Sequence, residues 1–108
     1  GMSYCVGGYG ERTNNQVVLA ICELLDAIFP EKAPHAGLIT SVADRPGHDQ
    51  RYAIDSKLIS RELGWNANHN FEEGLLATVQ WYIKHQDWCL KVKQRSGYSG
   101  NRVGLSKI

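Results

Sequence analysis

No apolar run in this 108-residue chain exceeds a few residues, which excludes a membrane-spanning helix, since a span needs about 20. A net charge of +1 and the lack of any Lys/Arg cluster exclude the field that nucleic acid or an anionic membrane surface would require of a partner. Cysteines number only three, Cys5, Cys22 and Cys89, odd in count and irregular in spacing, so neither a disulfide framework nor a metal site is expected. They read as reduced, partly buried thiols of a cytoplasmic protein. His35, His48, His69 and His85 show no ligand spacing either. No signal peptide is expected, and no repeat or low-complexity tract interrupts the chain. Also missing are a glycine-rich dinucleotide loop, a Tyr-x-x-x-Lys pair and a nucleophile elbow, so a binding function is expected of this chain and not a reaction centre.

What is present is an ordinary globular composition, 43% apolar and 21% charged, enough for one domain with a real core. Gly1 ahead of Met2 is what a cleaved tag leaves, so the reading frame is expected to begin at Met2. Tyr4-Cys5-Val6 before Gly7-Gly8 reads as a short strand. Thr13 and Gln16 have capping-box spacing, and Val17, Ile21, Leu24, Leu25 and Ile28 continue at helical period until Pro30 and Pro34. Residues 38–43 have strand composition, Pro46-Gly47 turns the chain, and Tyr52-Ala53-Ile54 is a further short extended piece.

Asp55 is expected to cap a helix through Leu63 that ends at Gly64. Asn70 and Glu73 repeat the capping pattern ahead of a helix reaching about Trp88, with Phe71, Leu75, Val79, Tyr82 and Ile83 on one stripe. The chain therefore divides into a domain over residues 1–90 and a loosely ordered tail over 91–108, anchored by Tyr98 and Leu105. The fold class is mixed α/β (α+β), helix-rich with a few short strands, a sheet small enough to need either good helical cover or partner strands from elsewhere.

The charged turn from Asp44 to Tyr52 is the most suggestive stretch. It sets Arg45, His48 and Arg51 close together after an apolar segment, with Pro46-Gly47 to hold the backbone. A guanidinium suits paired phosphate oxygens, yet spacing alone favours mutually balancing surface charges. Asn14, at a helix start, either meets an anion or simply helps cap the helix. Tyr52 either stacks on a ring or packs half-buried.

Several of these segments, in order, resemble one family. Residues 4–8, Glu11-Arg12-Thr13-Asn14, Ile21 to Asp26, Val42 to Asp49, Arg51 to Asp55, Arg61 to Trp65, Thr78 to Tyr82, Gly97-Tyr98 and Arg102 to Leu105 are similar to the C-terminal part of the dTDP-glucose 4,6-dehydratase family. These are extended short-chain dehydrogenase/reductases acting on nucleotide sugars. The chain departs from the family at Cys5, where Asn is usual, and at Tyr9-Gly10, where His-Asn is usual.

The resemblance implies the substrate-binding portion of such an enzyme, without its Rossmann domain, either a piece cut deliberately or a truncated frame. It assigns Asn14, Asp44, Arg45, Pro46, Gly47 and His48 to binding of the substrate, a dTDP-sugar met through its nucleotide diphosphate portion, with Arg45 on the pyrophosphate. It places NAD and every catalytic residue outside this chain. The intact enzyme would oxidise the sugar at C4 with tightly bound NAD, remove water across C5 and C6, and return hydride to C6, giving dTDP-4-keto-6-deoxyglucose. The surfaces that a Rossmann domain would cover leave room for self-association. The alternatives are a binding module that kept the fold and lost the substrate, or part of another nucleotide-sugar epimerase or dehydratase.

Overall fold

The computed structural model describes residues 1–98 and Gly100. The first long helix, α1 (Asn14–Ile28), starts where the capping box predicts: Thr13 Oγ1 accepts the Gln16 N–H at 3.2 Å and Gln16 Oε1 accepts the Thr13 N–H at 2.8 Å. Its continuation is stopped at Phe29 because Pro30 lacks an N–H, and two 3₁₀ turns follow, Pro30–Lys32 and His35–Leu38. Asp26 of α1 takes both the backbone N–H and Nδ1 of His35, so the second turn folds back along the helix. The other helices are α2 (Lys57–Leu63), α3 (Phe71–Lys84) and α4 (Gln86–Ser96). Contacts of α1 with the 3₁₀ turns and α3, and of α3 with α4, hold the assembly together.

The expected strands are absent: among the described residues, 4–6, 39–43 and 52–54 carry no regular secondary structure, and Leu38 belongs to a 3₁₀ turn. β-propensity reports how well a side chain fits a pleated, half-buried surface, and a strand exists only when a neighbour completes its ladder. No such neighbour is formed, and Leu38 (80% exposed) and Val42 (67%) lie open in place of the sheet core their composition suggests. The described residues are helical with long irregular connections.

Other boundaries shift for local reasons. Asp55 accepts the Lys57 N–H at 2.9 Å, but Ser56 is the residue that flanks α2, so the helix starts later than the Asp55 cap predicts. Gly64 ends it with φ of 66°, as expected of a left-handed cap. The helix predicted to run to Trp88 is interrupted at His85, whose Nδ1 donates to the Trp81 carbonyl at 2.7 Å while its ring stacks on the Trp81 indole. The chain then re-enters α4, so residues 91–96, assigned above to a loose tail, are helical to Gly97. Lys, Gln and Arg form helices well without an apolar stripe, which is why periodicity misses this one. Leu105 and residues 101–108 lie outside the described residues.

Buried apolar side chains among the described residues are one from each of the first three helices, Cys22, Ile59 and Val79. The radius of gyration of 17.7 Å exceeds the about 13 Å of a compact domain this long, in keeping with so thin a core. No helix among the described residues is long and apolar enough to cross a membrane.

Candidate functional site

The turn is organised by a carboxylate. Asp44 Oδ1 accepts the Arg45 N–H at 2.8 Å and Nδ1 of His48 at 2.7 Å. A carboxylate only accepts, so His48 carries a proton on Nδ1, and in the neutral ring Nε2 is left as an acceptor. Gly47 lies between them with φ of 67°, a conformation that side chains other than glycine resist, and this closes the turn tightly enough for the Asp44 to His48 bond. Arg45 reaches along the same turn, its Nη2 3.5 Å from the Tyr52 hydroxyl, the outer limit of a hydrogen bond.

Across from the turn stands the start of α1. Asn14 is its first residue, immediately after the Thr13 cap, where the helix leaves backbone N–H groups without intrahelical partners. The two meet at a cleft of about 410 Å³ lined by Asn14, His48, Asp49, Arg51, Tyr52 and the loop before the helix. Of the residues that the resemblance assigns to a ligand, Asn14 and His48 are thus brought together. Asp44, Arg45, Pro46 and Gly47 do not line this cleft; they form the outer side of the turn and connect to it through His48 and Tyr52.

Two residues fix the loop that leads into Asn14. Glu11 Oε2 accepts from Nε (3.1 Å) and Nη2 (2.6 Å) of Arg51, tying the loop to the turn. Arg12 ties it to α3: its Nη2 donates to Glu72 Oε1 at 2.9 Å, its Nη1 to the Glu11 carbonyl at 2.9 Å, and its guanidinium sits 4.6 Å from the centre of the Phe71 ring. Glu72 is held below the usual carboxylate range, first by its own backbone N–H at the start of α3 and then by Arg12. These pairs join residues 40 and 60 positions apart, and no local pattern announces them. The sequence signals were that Glu11 and Arg12 stand just ahead of a helix cap and that Arg51 lies in the charged turn.

Behind the Glu11 and Arg51 pair opens a second, larger cleft of about 1130 Å³, walled by residues 7–12, 51–54 and 66–73. Glu11 and Arg51 line both clefts and form the ridge between them. Among the described residues no group of three His, Cys, Asp or Glu side chains is placed to hold a metal ion.

No protein-family model matches the chain. Relatives do. The chain is 52% identical over 93 residues to a dTDP-glucose 4,6-dehydratase of Shigella flexneri, covering 86% of this chain and 26% of the relative. Against a probable dTDP-glucose 4,6-dehydratase of Sinorhizobium fredii it is 47% identical over 105 residues, 97% of this chain and 30% of the relative. The fold matches a crystal structure of dTDP-glucose 4,6-dehydratase from Bacillus anthracis in complex with NAD, with a TM-score of 0.66 and 40% identity over 79% of this chain and 24% of that one. The chain spans less than a third of the length of each of these relatives.

Proposed function

We propose, from a chain homologous to the C-terminal part of dTDP-glucose 4,6-dehydratases, that it supplies the nucleotide-binding side of such an enzyme's substrate cleft. The observation that carries this reading is the convergence of Asn14 and His48 on one cleft although they lie on separate elements. Asn14 offers an amide beside free helix N–H groups, and His48, with Nδ1–H held on Asp44, offers a phosphate oxygen an Nε2–H donor in its imidazolium form. Arg45, one turn residue away, supplies the positive charge that a diphosphate needs, by swinging from Tyr52 toward the cleft. The ligand class is a dTDP-sugar, held by its diphosphate.

The stretch from Gly7 to Asn14 does not fit the phosphates of NAD. The glycines at 7, 8 and 10 follow no strand, and the helix after them starts only at Asn14, so the backbone cradle that a dinucleotide uses is not built here. The dehydratase reaction is accordingly assigned to the longer protein, and this chain is proposed to bind without turning over.

Calorimetric titration of the chain with dTDP tests the reading. Binding is expected, and Asn14→Ala, His48→Ala or Arg45→Ala should each weaken it by about tenfold, the loss of one charge-assisted contact. No heat at millimolar dTDP would reject substrate binding in favour of a module that kept only the fold.

A further inference from the structure

Arg51 is the best-placed cation of the cleft and is not among the residues that the resemblance assigns to the ligand. Its guanidinium lies on the shared wall of both clefts, and its side chain is 74% exposed. Both of its contacts fall on a single oxygen of Glu11. Arg12, the other guanidinium of that wall, is already committed to Glu72, the Glu11 carbonyl and the Phe71 ring. Exposed ion pairs of the Arg51 kind contribute little and exchange readily. A phosphate presents the same planar pair of oxygens that a guanidinium fork prefers, with more charge than a carboxylate.

The formal charges around the smaller cleft balance: Glu11 and Asp49 oppose Arg12 and Arg51. With that balance intact the charged side chains lining the cleft give an entering diphosphate no net attraction of their own. The geometry points to an exchange: Glu11 is an internal stand-in for phosphate that keeps Arg51 poised at the cleft, and the arriving diphosphate takes the guanidinium over from it. Arg51 is then a further anion ligand, and Glu11 a built-in competitor that lowers affinity while keeping the loop before α1 in register. Glu11 acts through Arg51 and is a positioning residue. This inference rests on the diphosphate reading of the cleft and adds who competes for it.

The test is titration of the chain with inorganic pyrophosphate and with dTDP, by calorimetry and by following the Arg51 Nε–Hε resonance in NMR spectra. Glu11→Gln removes the competitor and should tighten pyrophosphate up to about fivefold, the worth of an exposed pair. Asp49→Asn removes the same charge from the same wall without touching the pair, and should give a clearly smaller gain. Adding Arg51→Gln to Glu11→Gln should abolish the gain, and in the unmodified chain the Arg51 resonance should move as pyrophosphate is added. The inference is overturned if Glu11→Gln binds no better than Asp49→Asn, or if pyrophosphate binds and the Arg51 resonance stays put. Failure of the unmodified chain to bind either ligand overturns the diphosphate reading as well, whereas binding indifferent to Glu11 removes the exchange alone. Amide spectra that overlay for all variants establish that each is folded.

Discussion

Asp44 holds His48 across the turn: one carboxylate oxygen takes the Arg45 N–H at 2.8 Å and His48 Nδ1 at 2.7 Å, so backbone and ring are fixed by the same atom. Replacing Asp44 by Ala leaves the ring free to rotate and to exchange tautomers. Affinity for dTDP should fall about three- to tenfold, as expected for losing a hydrogen bond to a charged group at a partly exposed site. Asp44→Asn keeps an acceptor and should restore most of it. Equal losses for the two variants in calorimetry would show that charge matters here and orientation does not.

The Thr13 and Gln16 box decides where α1 begins and therefore where Asn14 stands. Thr13→Ala should cost about 1 kcal/mol in urea denaturation, the usual worth of an N-cap hydroxyl. Because Asn14 is the residue directly after the cap, the same variant should also weaken dTDP binding. Loss of stability with unchanged affinity would separate the cap from the cleft.

Gly7 packs so closely on Ile54 that an added Cβ would collide with the Ile54 Cγ2 methyl. Gly7→Ala should therefore destabilise by about 1–3 kcal/mol, the usual penalty for overfilling a packed contact. Ile54→Ala removes that methyl, so in the double variant part of the loss should return. Strictly additive losses in a double-mutant cycle would mean that the two segments do not touch.

The carboxyl of Asp26 is held below its usual range, chiefly by the His35 backbone N–H, then by the His35 ring hydrogen bond and its charge. A carboxylate with a lowered folded-state pKa adds stability above the ordinary aspartate value and loses it as pH falls through the lowered one. The urea midpoint of the unmodified chain should accordingly exceed that of Asp26→Asn at neutral pH. The gap should begin to shrink as pH drops below about 4 and close only once pH has passed below the lowered folded-state value. A gap that does not change with pH would mean that the bonds, and not the ionisation, matter.

Among features written within four residues of one another, capping boxes and a glycine cap were legible. Both capping boxes, Thr13 with Gln16 and Asn70 with Glu73, stand where their spacing puts them, and Gly64 ends its helix as a left-handed cap. The β-type segments at 4–6, 38–43 and 52–54 were misread, because a strand is a property of two segments and a sequence window holds one. Helix α4 was missed for the opposite reason: its residues favour helix individually, and no apolar stripe marks them.

The sequence by itself determined the starts of α1 and α3, the tight turn at Gly47 and the chemistry on offer at Asn14, Arg45 and His48, since these follow from hydrogen bonds and backbone sterics between near neighbours. Only the tertiary structure decided that Asn14 and His48 share a cleft and Arg45 stands outside its lining, and that Glu11 holds Arg51 on its wall. Those outcomes depend on where elements tens of residues apart come to rest. That is set by burial of Cys22, Ile59 and Val79 and by ion pairs such as that of Arg12 with Glu72, which local spacing does not encode.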